Sequence, residues 1–207
     1  MNQPAEAHAK AKEIRKATSD ALQRIYLIIV CLGIAQALIR TFTDQNGFVG
    51  TKLADPAHLD QVLLLAAFLP TVIRFAHGSI LHLTALTGDE KWQWDMFGLL
   101  FQAVLFFIAA LSTTELDVFP LLFAAIFAFD TLWLFVLKYV GHTFGRMEWQ
   151  WIVSNIVLFL VFGGSWLCHW RGFFSSTVVA SVAAIAAIIA AIFDYAKNRN
   201  EYFPKNA

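Results

Sequence analysis

Six long apolar runs recur along the chain, at 22–39, 61–86, 96–112, 118–140, 151–167 and 177–195. Each is close to the length of about 18–20 residues that a helix needs to cross a hydrocarbon layer of roughly 30 Å. The polar connections between them are short. This pattern predicts an all-α polytopic membrane protein, a six-transmembrane-helix bundle occupying residues 21–195. A soluble Phe-rich helical protein fits less well, because buried helices of soluble proteins are usually shorter. Two polar segments flank the bundle. Residues 1–20 carry Pro4 in a first helical turn, followed by the helix formers Ala, Glu, Lys and Arg. They predict a cytoplasmic helix that runs into the first span or lies on the lipid. The thin apolar face (Ala7, Ile14, Leu22) favours the solvated form. Residues 196–207 read as a cytoplasmic tail. The opening lacks a short apolar stretch with a small-residue cleavage site, so 22–39 reads as an uncleaved first span.

The second run breaks its own pattern. In "TVIRFAHGSILHLTAL" a guanidinium and two imidazoles interrupt the apolar sequence at Arg74, His77 and His82. At about 100° per residue, Thr71, Arg74, Gly78 and His82 fall within roughly 80° of one another, and His77 lies roughly 60° from Arg74. Val72, Ile73, Phe75, Ile80 and Leu83 occupy much of the rest, so the helix is predicted to turn a polar face toward protein or water. Pro70 precedes that face and removes a helical donor. Gly78 is read as a point of close backbone approach.

Arg74 falls about 13 residues into its run, roughly 20 Å, and Asp130 about 12 residues into the fourth, roughly 18 Å. The two runs point the same way, so the opposite charges share a depth. An isolated charge there costs at least about 2.5–3.5 kcal/mol, and pairing relieves it. Arg74 and Asp130 are therefore expected to face each other or to share a hydrated cavity. Gln102 in the third run and Ser154 and Asn155 in the fifth lie toward the same side, as do Lys138, His142, Asp194 and Tyr195 at helix ends. A water-filled vestibule opening to the cytoplasm would serve them all. Arg74–Asp130 can be a static bridge, an ion or proton route, or a head-group or cofactor site. Lys138, His142 and Asp194 read as interfacial residues reaching water.

Composition agrees with this class: 58% of residues are hydrophobic and 14% charged, against roughly 25% charged in a soluble domain. Charge adds orientation. With the N-terminus inside, 11 of the 15 Lys and Arg residues fall on inner segments and three (Arg40, Lys52, Arg171) on outer ones. Both termini are thus expected to be cytoplasmic, and a bacterial inner (plasma) membrane is the expected location. Trp92, Trp94, Trp149, Trp151, Trp166 and Trp170 stand at the predicted interfaces.

In the sixth run Ala180, Ala184, Ala187 and Ala191 form a small-residue stripe, and Gly163 and Gly164 interrupt the fifth. Such positions let helices pack closely, within the chain or in a homo-oligomer, and the sixth run is the expected oligomer seam. Cys31 and Cys168 read as small fillers, neither a disulfide framework nor a zinc site. Walker, nucleophile-elbow, H-E-x-x-H and C-x-x-C patterns are lacking. His77 has no histidine at its depth in a facing run, which argues against haem. No cofactor and no nucleic-acid partner is expected, and a non-enzymatic role is favoured over an enzyme acting on a lipid or redox cofactor. The leading reading is a pore or transport subunit for an ion or small solute, centred on Arg74, His77, Asp130, His82, Asn155 and Gln102. Arg74 would there favour anions. The alternative is a membrane-embedded sensor or assembly subunit docking a cytoplasmic protein through the N-terminal helix.

Overall fold

A computed structural model describes residues 3–43, 58–86, 92–139 and 146–203. The connections that carry Lys52, Lys91 and His142 lie outside the described residues, as do the side chains of Trp92, Trp94 and Arg146. The described residues form helices joined by turns, without a strand. In chain order they are α1 (Gln3–Phe42), α2 (Leu59–Leu86), α3 (Trp92–Leu111), α4 (Phe119–Tyr139), α5 (Arg146–Trp170), α6 (Ser176–Lys197) and the short α7 (Arg199–Tyr202). Five of them, α1, α2, α4, α5 and α6, are long and apolar enough to cross a membrane. In α3 the apolar stretch among the described residues is Met96–Leu111.

The N-terminal segment and the first apolar run form one continuous helix of 40 residues, about 60 Å long at 1.5 Å per residue. Two tight turns join neighbouring helices. Ser112 Oγ donates to the Ala109 carbonyl at the end of α3, and the chain re-enters a helix at Phe119. After α5, Gly172 takes a φ of 75°, where a side chain would be strained. Ser175 then caps α6, its side chain accepting from the Val178 N–H.

These turns and contacts sort the helix ends into two groups. Arg40 Nη1 donates to the Leu111 carbonyl at 2.7 Å, and Trp166 Nε1 donates to the Asp117 carbonyl at 2.8 Å. The ends of α1, α3 and α5 thus lie beside the start of α4, at what is here called the phenylalanine end. Lys138 Nζ sits over the Trp149 ring at 4.2 Å, joining the end of α4 to the start of α5 at the basic end.

Helix α2 packs most extensively against α6, and α4 against α5. The α6 stripe is why: Ala180, Ala183, Ala184, Ala187 and Ala191 are all buried within this chain. The homo-oligomer seam expected on that stripe is therefore already filled, largely by α2. The larger residues Ile185, Ile189 and Ile192 point outward instead. Gly163 makes only ordinary contact with Ala124 and Gly164 meets nothing, so the expected close helix approach does not occur there.

The core at the phenylalanine end is aromatic. Phe123 stacks on Phe119 and Phe162, with ring centroids 4.4 and 5.3 Å away, and meets Phe68, Phe106 and Phe127 edge-on. All six rings are buried. Outward faces of the bundle are lined with apolar side chains such as Leu121, Leu132, Val153 and Leu160. An exposed apolar surface of this extent on helices of this length is one that contacts a lipid bilayer.

Candidate functional site

The polar residues of four helices meet in one layer on the basic side of the phenylalanine core. Arg74 of α2 is only 4% exposed. Its Nη1 donates to Ser154 Oγ at 2.8 Å and its Nη2 to Asn155 Oδ1 at 2.7 Å. Asp130 of α4 accepts from Gln102 Nε2 of α3 at 2.8 Å and from Asn155 Nδ2 of α5 at 2.5 Å. Asn155 is fully buried. Its amide fits this place because one end accepts and the other donates. Arg74 and Asp130 line one cavity, and they meet through the Asn155 amide rather than side by side. The guanidinium also lies over the Phe75 ring, 5.0 Å from its centroid.

A cavity of about 40 Å³ adjoins this network, lined among others by Arg74, Ser79, His82, Asp130, Trp133 and Asn155. At roughly 10–15 Å³ per water, it has room for about three. Two buried polar atoms of the layer, Gln102 Oε1 and Trp133 Nε1, have no hydrogen-bond partner among the described residues. Trp133 lines the cavity, so its donor is left for water or a small solute there. Phe75 and Leu99 wall the cavity, while His82 and Leu137 line it toward the basic end. His82 Nδ1 stands 3.9 Å from Glu148 Oε1.

Of the residues singled out from sequence, Arg74, Asp130, Asn155 and Gln102 form one hydrogen-bonded set, and His82 lines the same cavity. His77 belongs elsewhere. Its Nδ1 is 3.2 Å from Tyr195 Oη, and its ring packs against Tyr195, Tyr202 and Phe203.

Beside His77 lies a second buried network. Asp194 is only 4% exposed, so it does not reach water as expected for an interfacial residue. It accepts from Trp151 Nε1 at 3.1 Å, Asn198 Nδ2 at 2.8 Å and Tyr202 Oη at 2.7 Å. Trp151 is correspondingly more than an interface anchor. Its indole occupies the space that Gly78 leaves, where an added Cβ would lie 2.9 Å from Trp151 Cζ2. Gly78 admits a ring, not a neighbouring backbone. Burial, and then the Asp194 carboxylate, hold the Tyr202 phenol above its ordinary range.

Tyr202, Trp151 and Trp133 were not legible as site residues. Tyr202 enters only because α7 folds back onto α6. Trp133 is placed by Gly98, whose added Cβ would lie 2.2 Å from the indole. A glycine one helix away from a tryptophan is visible in sequence only once the helix pairing is known.

The layout differs from the paired-charge picture: Arg74 and Asp130 are bridged by Asn155, while Asp194 is held separately by Trp151, Asn198 and Tyr202. No family model, curated protein or solved structure matches this chain, so the class rests on geometry: a helical, multi-pass membrane protein with a buried polar layer in its apolar bundle.

Proposed function

We propose that the protein is a membrane transport subunit whose Arg74–Asn155–Asp130 layer binds and releases a proton or small cation. The observation that carries this reading is the cavity beside Asp130. It gathers ionisable and polar groups from several helices, together with the Trp133 indole N–H, a buried donor without a partner among the described residues. Intramembrane ionisable residues that face a cavity mark ion or proton pathways by default. The Asp130 carboxylate that lines the cavity favours a positive species over an anion, which revises the anion preference that Arg74 alone implied.

The proposed arrangement has six spans, with residues 21–195 in the membrane and 1–20 and 196–207 in the cytoplasm. The basic end then faces inward, supported by 11 of 15 Lys and Arg residues on that side. The cavity is served from the inside, and stacked phenylalanines fill the outer half. Conduction would require the bundle to rearrange rather than a standing pore. The bacterial inner membrane remains the proposed location. Any homo-oligomer would use the outward isoleucine face of α6, since its alanines are occupied.

The test is purified protein in liposomes with an internal pH dye and an imposed membrane potential. Wild type carries current or proton flux. Asp130→Asn keeps the hydrogen-bond geometry but removes the ionisable group, and lowers the flux at least about tenfold with helicity retained. Folded wild-type protein that stays silent for protons and common ions across pH would overturn the reading.

A second reading has its own observation. Helix α1 is roughly twice as long as a span requires, and its polar first half is available to a cytoplasmic partner. Pull-down with and without residues 1–20 tests it. A partner lost on truncation, together with silent liposomes, makes the protein an assembly or sensor subunit.

A further inference from the structure

The second large concavity is a groove of about 640 Å³ on the outer surface between α5 and α6. It is separate from the polar cavity and does not depend on the transport reading. Its walls are mainly aliphatic, with Val153, Val157 and Val161 on α5 facing Ile189 on α6 and with Ser154 and Phe193 among the rest, and Ala186 and Ala190 set the depth because they are small. The volume lies within the roughly 300–1,000 Å³ of pockets that hold small molecules. From Trp149 to Val161 the groove follows about 12 residues of helix, roughly 18 Å. That matches one leaflet, half of a hydrocarbon layer of roughly 30 Å.

The groove is not apolar throughout. Its basic end is lined by Trp149, Gln150 and Lys197. Lys138 Nζ lies over the ring of the same Trp149, so one ammonium lines this end and a second stands against an indole that lines it. Gln150 Oε1 is buried without a hydrogen-bond partner among the described residues. The end of the groove therefore asks for an anion beside the lysines and a hydroxyl or amine donor for Gln150, while the rest asks for a hydrocarbon chain. The molecule that meets all three demands at interface depth is a lipid of the adjoining leaflet.

We infer that the α5–α6 groove is a binding site for one anionic glycerophospholipid. Its phosphate sits between Lys197 and Lys138, a head-group donor meets Gln150 Oε1, and one acyl chain lies along Val153, Val157 and Val161. The lysines, not the apolar walls, choose the lipid, because every phospholipid offers a chain. Each basic residue near a membrane surface contributes about 1 kcal/mol toward an anionic lipid.

The full-length protein is reconstituted in nanodiscs of phosphatidylcholine containing an equal fraction of phosphatidylglycerol. Retained lipids are counted by native mass spectrometry after mild extraction. Wild type keeps one phosphatidylglycerol per chain, about tenfold or more over phosphatidylcholine. Lys138→Gln with Lys197→Gln, both at exposed positions, brings the two lipids near parity. Val157→Trp fills the groove and removes retention of either lipid. Should that variant fail to fold, the lysine pair still decides the matter. Equal retention of both lipids by wild type overturns the site, as does a preference unchanged in the lysine variant. An Ile189→Cys variant that forms an efficient disulfide-linked dimer in the membrane would assign the groove to a second copy instead.

Discussion

A single carboxamide holds the two strongest charges of the membrane layer in register. Asn155 donates to Asp130 and accepts from Arg74 at once, so neither charge can lose it without losing a bond. Breaking a buried charged network by removing one partner costs about 3–5 kcal/mol. Asn155→Ala is therefore expected to lower stability by about 3 kcal/mol, read as a large drop in melting temperature in mild detergent. Val153→Ala, two residues away on an exposed face of α5, should shift it little. Equal melting of the two variants would mean that the layer contributes nothing to the fold. Tyr202 supplies a second case, with a pH signature. Its phenol is held above the ordinary value of about 10, so the folded form keeps its proton longer than the unfolded chain does. That contribution is complete below about pH 10 and is lost as pH rises toward the folded value. Trypsin access at Lys197 and Arg199 should accordingly grow above about pH 10 in wild type. Tyr202→Phe lacks the bond to Asp194 from the start and should show raised access already at neutral pH, with a flatter alkaline rise. Identical profiles for the two proteins would detach Tyr202 from the docking of α7.

Between residue and fold stand the helices, and α2 illustrates how much each one decides. Its 3.6-residue period placed Arg74, Gly78 and His82 on one inward face, and matched depth placed Asp130 of α4 in the same layer. That much was readable because hydrocarbon allows only helices with satisfied backbones, and a charge within one must turn inward. What the helices present to each other was not readable. The gap at Gly78 holds Trp151, the gap at Gly98 holds Trp133, and Gly164 holds nothing. These outcomes depend on rotation and partner choice, to which composition is blind. The α6 stripe shows the same limit: small residues announced close packing, and only the structure shows that α2 fills it. Gly78→Ala should force the Trp151 indole to move, weaken its bond to Asp194 and cost about 1–3 kcal/mol. Tryptophan fluorescence and thermal melting of the variant check this. Gly164→Ala is the control, expected to be neutral within about 0.5 kcal/mol. Equal costs for the two would show that neither glycine is a seat for a ring.

At the scale of the whole molecule the question is whether α3 crosses the bilayer, because that fixes where the termini lie. Its apolar stretch among the described residues is Met96–Leu111, and the helix has 20 residues, about 30 Å in length. The Arg40–Leu111 bond ties its far end to the far end of α1. A helix that starts at the basic end and finishes beside Arg40 has traversed the bundle, and its Gln102 amide donates to Asp130 within the bundle. The proposed six crossings would put both termini on one face, in line with the charge bias. The prediction is a labelling pattern. In a background lacking Cys31 and Cys168, single cysteines at Lys10 and Asn200 react with an impermeant maleimide from the cytoplasmic side. Cysteines at Glu115 and Phe173, in the two turns at the phenylalanine end, react from the outside. If α3 failed to cross, Glu115 would label from the same face as Lys10, and the termini would separate. The Arg74 layer would then have one wall in water, and the inward chamber proposed for proton or cation binding would have no physical basis.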